Sequence, residues 1–297
     1  MSGAPIVVTL WHASGLGRAL DATTRELLAA VQPDAVQLHA SPTALRSAAP
    51  AVAREVRTLC PRAAIWLGVA CDSPAFRLAE GAWSVERARD ALLVAAQVAV
   101  GVGASHVVWN AEGAWKRPNA AAVDRAPLAR AVVETCAARH PALAQGHTAY
   151  DQPHLHGRYP WAAWIGPGSP VALALPQVYC APKEGLAPRG ALARRLAAHR
   201  ASWARSTTAG LVRPGLAVLP YLQLHSVPAG QTATVAGELG LCGWALPSRS
   251  DAEGHRALRA LAALRPLGPG AVARWQAARG LEADGIVGPR TLASLGL

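Results

Sequence analysis

The chain has 297 residues, 52% of them hydrophobic, enough for one large α/β domain or two smaller ones, which excludes disorder over most of its length. Its formal charge of +11 rests almost wholly on arginine, since Lys116 and Lys183 are its lysines, and the arginines are scattered without the dense run that a nucleic-acid partner would call for. Cys60, Cys71, Cys136, Cys180 and Cys242 lie far apart with no CxxC pair, so neither a zinc site nor a secreted disulfide framework is expected.

The first residues enter a strand directly, with no charged region followed by a long apolar core, and no apolar run is long enough to span a bilayer. The expectation is a protein made in the cytoplasm without a signal peptide. The first strand covers residues 6–13 and is followed by a helix over 21–31, where Leu27, Leu28 and Val31 keep helical spacing. A strand at 35–39 and a helix at 42–59 come next, then a strand at 64–71 that ends at Asp72 and a helix at 84–100. The fourth strand carries Val107, Val108 and Trp109 into Asn110 and Glu112, and its helix covers 121–139. The fifth strand leads into 148–153, the sixth ends in 175–180, the seventh spans 216–225 and the eighth 240–246. Helices fit 189–207 and 251–264, and the gap at 231–239 has room for a brief one.

Eight strands alternating with helices predict a (β/α)8 TIM barrel over residues 1–266, followed by a short helical segment over 267–297. A doubly wound open sheet is the alternative, but Ser14-Gly15-Leu16-Gly17 is too short for its phosphate loop. In a barrel the active site sits at the carboxyl ends of the strands, and polar and aromatic residues collect there. They are Trp11, Gln37 and His39, Asp72, Asn110 and Glu112, Tyr150 and Asp151, Gln177 and Tyr179, Tyr221, Gln223 and His225, and Trp244. The two-residue period puts Asn110 and Glu112 on one face of their strand and Gln177 and Tyr179 on one face of theirs, and sends Trp109 outward against a helix. His154 and His156, near Asp151, lack a convincingly spaced third metal ligand and read as a polar loop.

Two resemblances follow. In the tail, Trp275-Gln276, Gly280-Leu281 and the run Asp284-Gly285-Ile286-Val287-Gly288-Pro289-Arg290-Thr291 resemble the second half of the peptidoglycan-binding domain of type one. The family's first repeat is missing, and so short a segment cannot build its own core, so the tail is expected to dock on the barrel through Leu281, Ile286, Val287, Leu292 and Leu295. In the barrel, Asn110-Ala111-Glu112 and Gln177-Val178-Tyr179 resemble motifs of lysozyme-like and chitinase-like barrels of glycoside hydrolase families 25 and 18. Asn110 departs from the pattern, because those families usually carry aspartate there.

The resemblances imply a glycoside hydrolase of the N-acetylated strands of peptidoglycan, with no cofactor and no nucleic-acid partner, acting at the cell wall after release or delivery. Glu112 is the candidate general acid, with its pKa expected to be raised by burial among Trp109, Trp115 and Tyr179. Asp151 is the candidate second carboxylate, with Asp72 next; if the substrate's own acetamide is the nucleophile, Asn110 and Tyr179 would hold it instead. Trp11, His39, Asp72, Tyr150, Gln177, Tyr179, Gln223, His225 and Trp244 are the candidate substrate contacts. The rival from another class is a non-catalytic glycan-binding or structural module of a phage or secretion particle. A barrel enzyme for phosphorylated substrates would need a Gly-rich loop near strands seven and eight, which is missing.

Overall fold

The computed structural model describes residues 5–11, 19–71, 85–116, 125–180, 186–223, 226–239, 241–244, 252–264, 267 and 270–297. The first three strands are β1 (Ile6–Trp11), β2 (Ala35–Ala40) and β3 (Ala64–Ala70), joined by α1 (Ala22–Val31) and α2 (Pro42–Leu59). Local chemistry starts the helices where it should. Asp21 caps α1 by accepting from the Thr24 amide at 2.9 Å, and Ser41 caps α2 with Pro42 in the first turn. On α2, Leu45, Ala48, Ala49, Val52, Ala53 and Val56 form the buried stripe that packs on the sheet.

The next elements are α3 (Val85–Gly101), β4 (His106–Asn110), a single turn α4 (Gly113–Lys116), α5 (Arg125–Arg139) and β5 (Ala144–Thr148). A 3-10 turn (Pro153–Leu155) and the short α6 (Trp161–Ile165) precede β6 (Leu173–Ala174) and β7 (Gln177–Val178). After them come α7 (Ala191–Thr208), β8 (Ala217–Val218), β9 (Tyr221–Gln223), α8 (Ala229–Leu239), β10 (Leu241–Trp244) and α9 (Ala252–Leu264). The tail holds α10 (Ala271–Ala278) and α11 (Pro289–Ser294).

All strand pairs are parallel, in one sheet of order β7-β9-β10-β1-β2-β3-β4-β5-β6-β8. β6 and β7 are two halves of one stave broken at Pro176, and β8 and β9 two halves of another broken at Pro220, because proline has no N–H for the ladder. Pairing resumes across each break: Gln177 N donates to Ala149 O at 2.9 Å, and Tyr221 N donates to Pro176 O at 2.7 Å. Ten segments thus make eight staves, and the sheet curls into the expected barrel. One expectation changes, since α8 begins at Ala229 and is a full helix, started by the Glu253 carboxylate accepting from the Ala229 amide at 2.8 Å.

Side-chain alternation divides the core. Val7, Ala35, Trp66, Val108, Leu175, Leu219 and Tyr221 fill the barrel interior, while the larger cluster, with Val107 and Trp109, lies between sheet and helices. Trp109 is anchored there: its indole N–H donates to Gln145 at 2.9 Å, and Gln145 donates to Val133 O on α5 at 2.9 Å.

The tail packs on the barrel, against α8 and α9. Its motif glutamine is structural: the buried Gln276 amide donates to Asp284 and Ile286 O, lies 3.2 Å from the Thr291 hydroxyl, and accepts from the Gly285 amide at 2.9 Å. Gly285 takes a φ of 72°, which suits glycine at the Asp-Gly turn. Of the expected docking residues, Val287 is buried and its amide donates to Thr234 on α8 at 2.9 Å, whereas Ile286 is 43% exposed and faces away. A Cβ on Gly230 would lie 1.9 Å from Val287 O, a backbone atom that no rotamer change can move. Gly230→Ala should therefore cost about 1–3 kcal/mol and open the tail to limited proteolysis. An unchanged digestion pattern and melting temperature would contradict the docking.

Candidate active site

The site is built where β4 ends. Pairing continues past the strand: Cys71 N donates to Asn110 O at 2.8 Å and Ala111 N to Thr148 O at 3.2 Å, so the chain stays stitched between β3 and β5 as far as Ala111. From the outer side the Tyr159 hydroxyl donates to Ala111 O at 3.0 Å, and it is itself 2.7 Å from Nε2 of His147. Burial lowers the pKa of His147 to about 3, so its ring is neutral and Nε2–H serves as the donor to Tyr159. Glu112 O then accepts from Trp115 N at 3.0 Å to begin α4.

Inside the barrel mouth the side chains of three staves meet. Gln177 Nε2 donates one hydrogen to Asn110 Oδ1 at 3.2 Å and the other to Glu112 Oε1 at 2.7 Å. On its far side, Asn110 Nδ2 lies 3.2 Å from Nε2 of His39. Asn110 and Gln177 are 4% and 5% exposed, His39 is fully buried, and Glu112 is half-buried at the top of the group. Burial takes the His39 pKa to about 3, which leaves its ring neutral. Tyr179, 39% exposed, flanks the group, and its phenol pKa is raised by partial burial and by the Glu112 carboxylate. Below, the Tyr221 hydroxyl donates to Gln37 Oε1, and Thr9 lies 3.5 Å from the same hydroxyl.

A glycine makes this layer possible. A Cβ on Gly68 would lie 2.3 Å from Gln37 Nε2 and 2.5 Å from His39 Cδ2. Gly68→Ala should displace His39, cost about 1–3 kcal/mol and loosen the group around Asn110. The check is a denaturant titration, and a midpoint unchanged from the parent would count against this packing.

Several expected residues fall elsewhere. Asp151 is turned to α7: Arg195 Nη2 donates to its Oδ1 at 2.9 Å, Arg195 Nε lies 2.6 Å from Oδ2, and its carbonyl is held by His199 at 2.7 Å and Trp203 at 3.0 Å. The backbone explains the turn, because Tyr150 pairs with Gln177 and so puts its neighbour on the opposite face. His39, fully buried under Asn110, presents no surface at the opening. Trp109 and Trp115 lie in the outer core, Trp115 edge-on to Trp164 at 5.0 Å, so Tyr179 is the member of the expected aromatic trio that remains beside Glu112. Tyr150 leans on His156 at 4.1 Å. Trp11, Gln223 and Trp244 hold their places in the ladder, with side chains outside the described residues. Asp72 and His225 lie outside the described residues altogether. Tyr159 and Arg195 were not singled out from the sequence; each acts through a partner more than forty residues away that no local pattern marks.

His154 bonds Ser202 at 2.5 Å and Arg205 at 3.1 Å. Among the described residues no group of three or more His, Cys, Asp or Glu is placed to hold a metal ion, and no helix is long and apolar enough to cross a membrane.

The chain is similar to a GH18 chitinase from Pseudoalteromonas aurantia, with a TM-score of 0.50 and 15% identity, over 85% of this chain and 98% of that one. The fold is a GH18-like TIM barrel. Similarity extends to a GH18 chitinase from Cycas revoluta (TM-score 0.47, 14% identity, 73% of this chain and 68% of that one). An endo-β-N-acetylglucosaminidase from Cordyceps militaris gives a TM-score of 0.42 at 11% identity, over 88% of this chain and 76% of that one. Residues 270–295 match the family described as "Putative peptidoglycan binding domain", which places that segment at the end of the GH18-like barrel. No curated protein matches the chain.

Proposed function

We propose that this chain is a glycoside hydrolase that cleaves the N-acetylated glycan strands of peptidoglycan, with residues 1–266 as the catalytic barrel and 267–297 as a helical segment docked on it. The observation that carries the reading is the Gln177 amide joined to both Asn110 and Glu112 in the barrel mouth. It ties a half-buried carboxyl group to an amide that would face a substrate acetamide. The likeness in fold to a GH18 chitinase supports the reaction class, and the match at 270–295 supports the wall as substrate.

In this reading Glu112 gives its proton to the glycosidic oxygen as the C1–O bond breaks. The acetamide oxygen of the same sugar bonds to C1 from the opposite face, held by Asn110 and Tyr179. Glu112, now a carboxylate, takes a proton from a water whose oxygen attacks C1 and reopens the ring, so configuration is retained. Arg195 already binds Asp151, which favours this assisted route over Asp151 as a second carboxylate. The enzyme would work at the wall after release or delivery.

The test is reducing-end release from peptidoglycan before and after chemical N-deacetylation. Cleavage of the acetylated polymer alone supports the assisted route; equal cleavage of both contradicts it. A non-catalytic glycan-binding module is the second reading, favoured by the amide of Asn110 where the resembled families carry an acid. Pelleting with the polymer without any new reducing ends would decide for it.

A further inference from the structure

The hydrogen bonds of the site diverge from Gln177, one way to Glu112 and the other through Asn110 to His39. Gln177 spends both amide hydrogens, one on Asn110 Oδ1 and one on Glu112 Oε1, so its nitrogen, and not its oxygen, faces the carboxylate. With its oxygen occupied by Gln177, Asn110 turns its nitrogen to His39, and the 3.2 Å contact requires a lone pair on Nε2 of that ring. His39 must then carry its proton on Nδ1. Were the proton on Nε2, Asn110 would have to turn over, Gln177 would follow, and an amide oxygen would face the carboxylate of Glu112.

We propose that His39 is a positioning residue: the lone pair on its Nε2 sets which way the Asn110 and Gln177 amides point, and so gives Glu112 a hydrogen-bond donor. The role is distinct from substrate contact, because His39 is fully buried and Asn110 lies between it and the opening. The neutral ring fits the role, since a protonated imidazole has no lone pair to offer. Gly68 lets the ring in, as its hydrogen leaves room where a Cβ would lie 2.5 Å from His39 Cδ2. Titratable groups facing this chain include the Tyr179 phenol, beside Glu112, and the Tyr221 phenol on the adjoining Gln37 amide.

The consequence for Glu112 has a definite sign. A donor to the carboxylate favours its charged form, so losing that donor raises the pKa. His39→Phe keeps a ring and removes the acceptor, whereas His39→Gln keeps an acceptor oxygen. For His39→Phe, the titration midpoint of Glu112, followed by carboxyl NMR with Glu112→Gln as the assignment control, should lie above that of the unmodified protein. His39→Gln should restore it. A midpoint that stays put in a folded His39→Phe protein overturns the proposal. Should His39→Phe fail to fold, the 15N shifts of His39 in the unmodified protein decide: a neutral ring protonated on Nδ1 supports the proposal, and one protonated on Nε2 overturns it. Neither measurement needs activity.

The kinetic part rests on the hydrolase reading. There His39→Phe should move the alkaline limb of the kcat–pH profile, which reports loss of the acid form of Glu112, to higher pH with KM within about threefold, and His39→Gln should return it. If the unmodified protein cuts no glycan, the hydrolase reading fails while the tautomer and the midpoint still judge His39.

Discussion

Glu112→Gln should lower turnover on peptidoglycan by about two to four orders of magnitude and leave binding intact. The substitution is nearly isosteric, and the new amide oxygen still accepts from Gln177 Nε2, which now sits 2.7 Å from Glu112 Oε1. The shape of the site and its tie to Asn110 are therefore kept. What is lost is the proton for the glycosidic oxygen, so the sugar alkoxide would have to leave unprotonated. Initial rates of reducing-end release, with binding to the insoluble polymer measured alongside, check both halves. A variant that cuts as fast as the parent would remove Glu112 from the chemistry.

Arg195→Leu should instead destabilise the fold, by about 3 kcal/mol, because it leaves the Asp151 carboxylate buried without its cation. The Asp151 side chain is 6% exposed and that of Arg195 39%, so the cost belongs at the low end for a broken buried pair. In a chain this long that is a fall of roughly 5 °C in Tm. Asp151→Asn should cost less, since a neutral amide in the same place leaves only the Arg195 guanidinium, which solvent reaches. Below the melting transition both variants should keep most of the parent's turnover, as the Asp151 carboxylate is engaged by Arg195 on α7. Loss of activity in folded Asp151→Asn as deep as that of Glu112→Gln would make Asp151 the second acid after all.

Much of the barrel could be read from the sequence because its strands are buried on both faces. Runs such as those of β1, β2 and β3 are apolar almost throughout, and polar residues break in where the mouth begins. The breaks at Pro176 and Pro220 are marked by the residues themselves, but the resumption of pairing beyond each depends on neighbouring strands. Within the site, the two-residue period was enough to send Trp109 outward, whereas the meeting of Asn110 with Gln177 depends on the closure of the barrel. The same rule fails for Asp151, which lies beyond the end of β5, and its partner Arg195 is 44 residues away on a helix. Trp115 shows the same limit, since its direction is set by the turn of α4 and by Trp164. His39 was legible as a polar residue at a strand end, but not as one sealed beneath Asn110. In the tail, the Gln276 and Asp284 motif was plain, and its meaning proved to be a hydrogen-bonded turn on the surface of α8 and α9.

The central claim is that the group around Glu112 cuts wall glycan. The most direct test is to incubate the unmodified protein and Glu112→Gln with purified insoluble peptidoglycan and to measure new reducing ends and pelleted protein in the same tubes. The account predicts equal pelleting, with reducing ends rising for the unmodified protein alone. Equal pelleting with no reducing ends from either protein would contradict it and decide for the non-catalytic glycan-binding module.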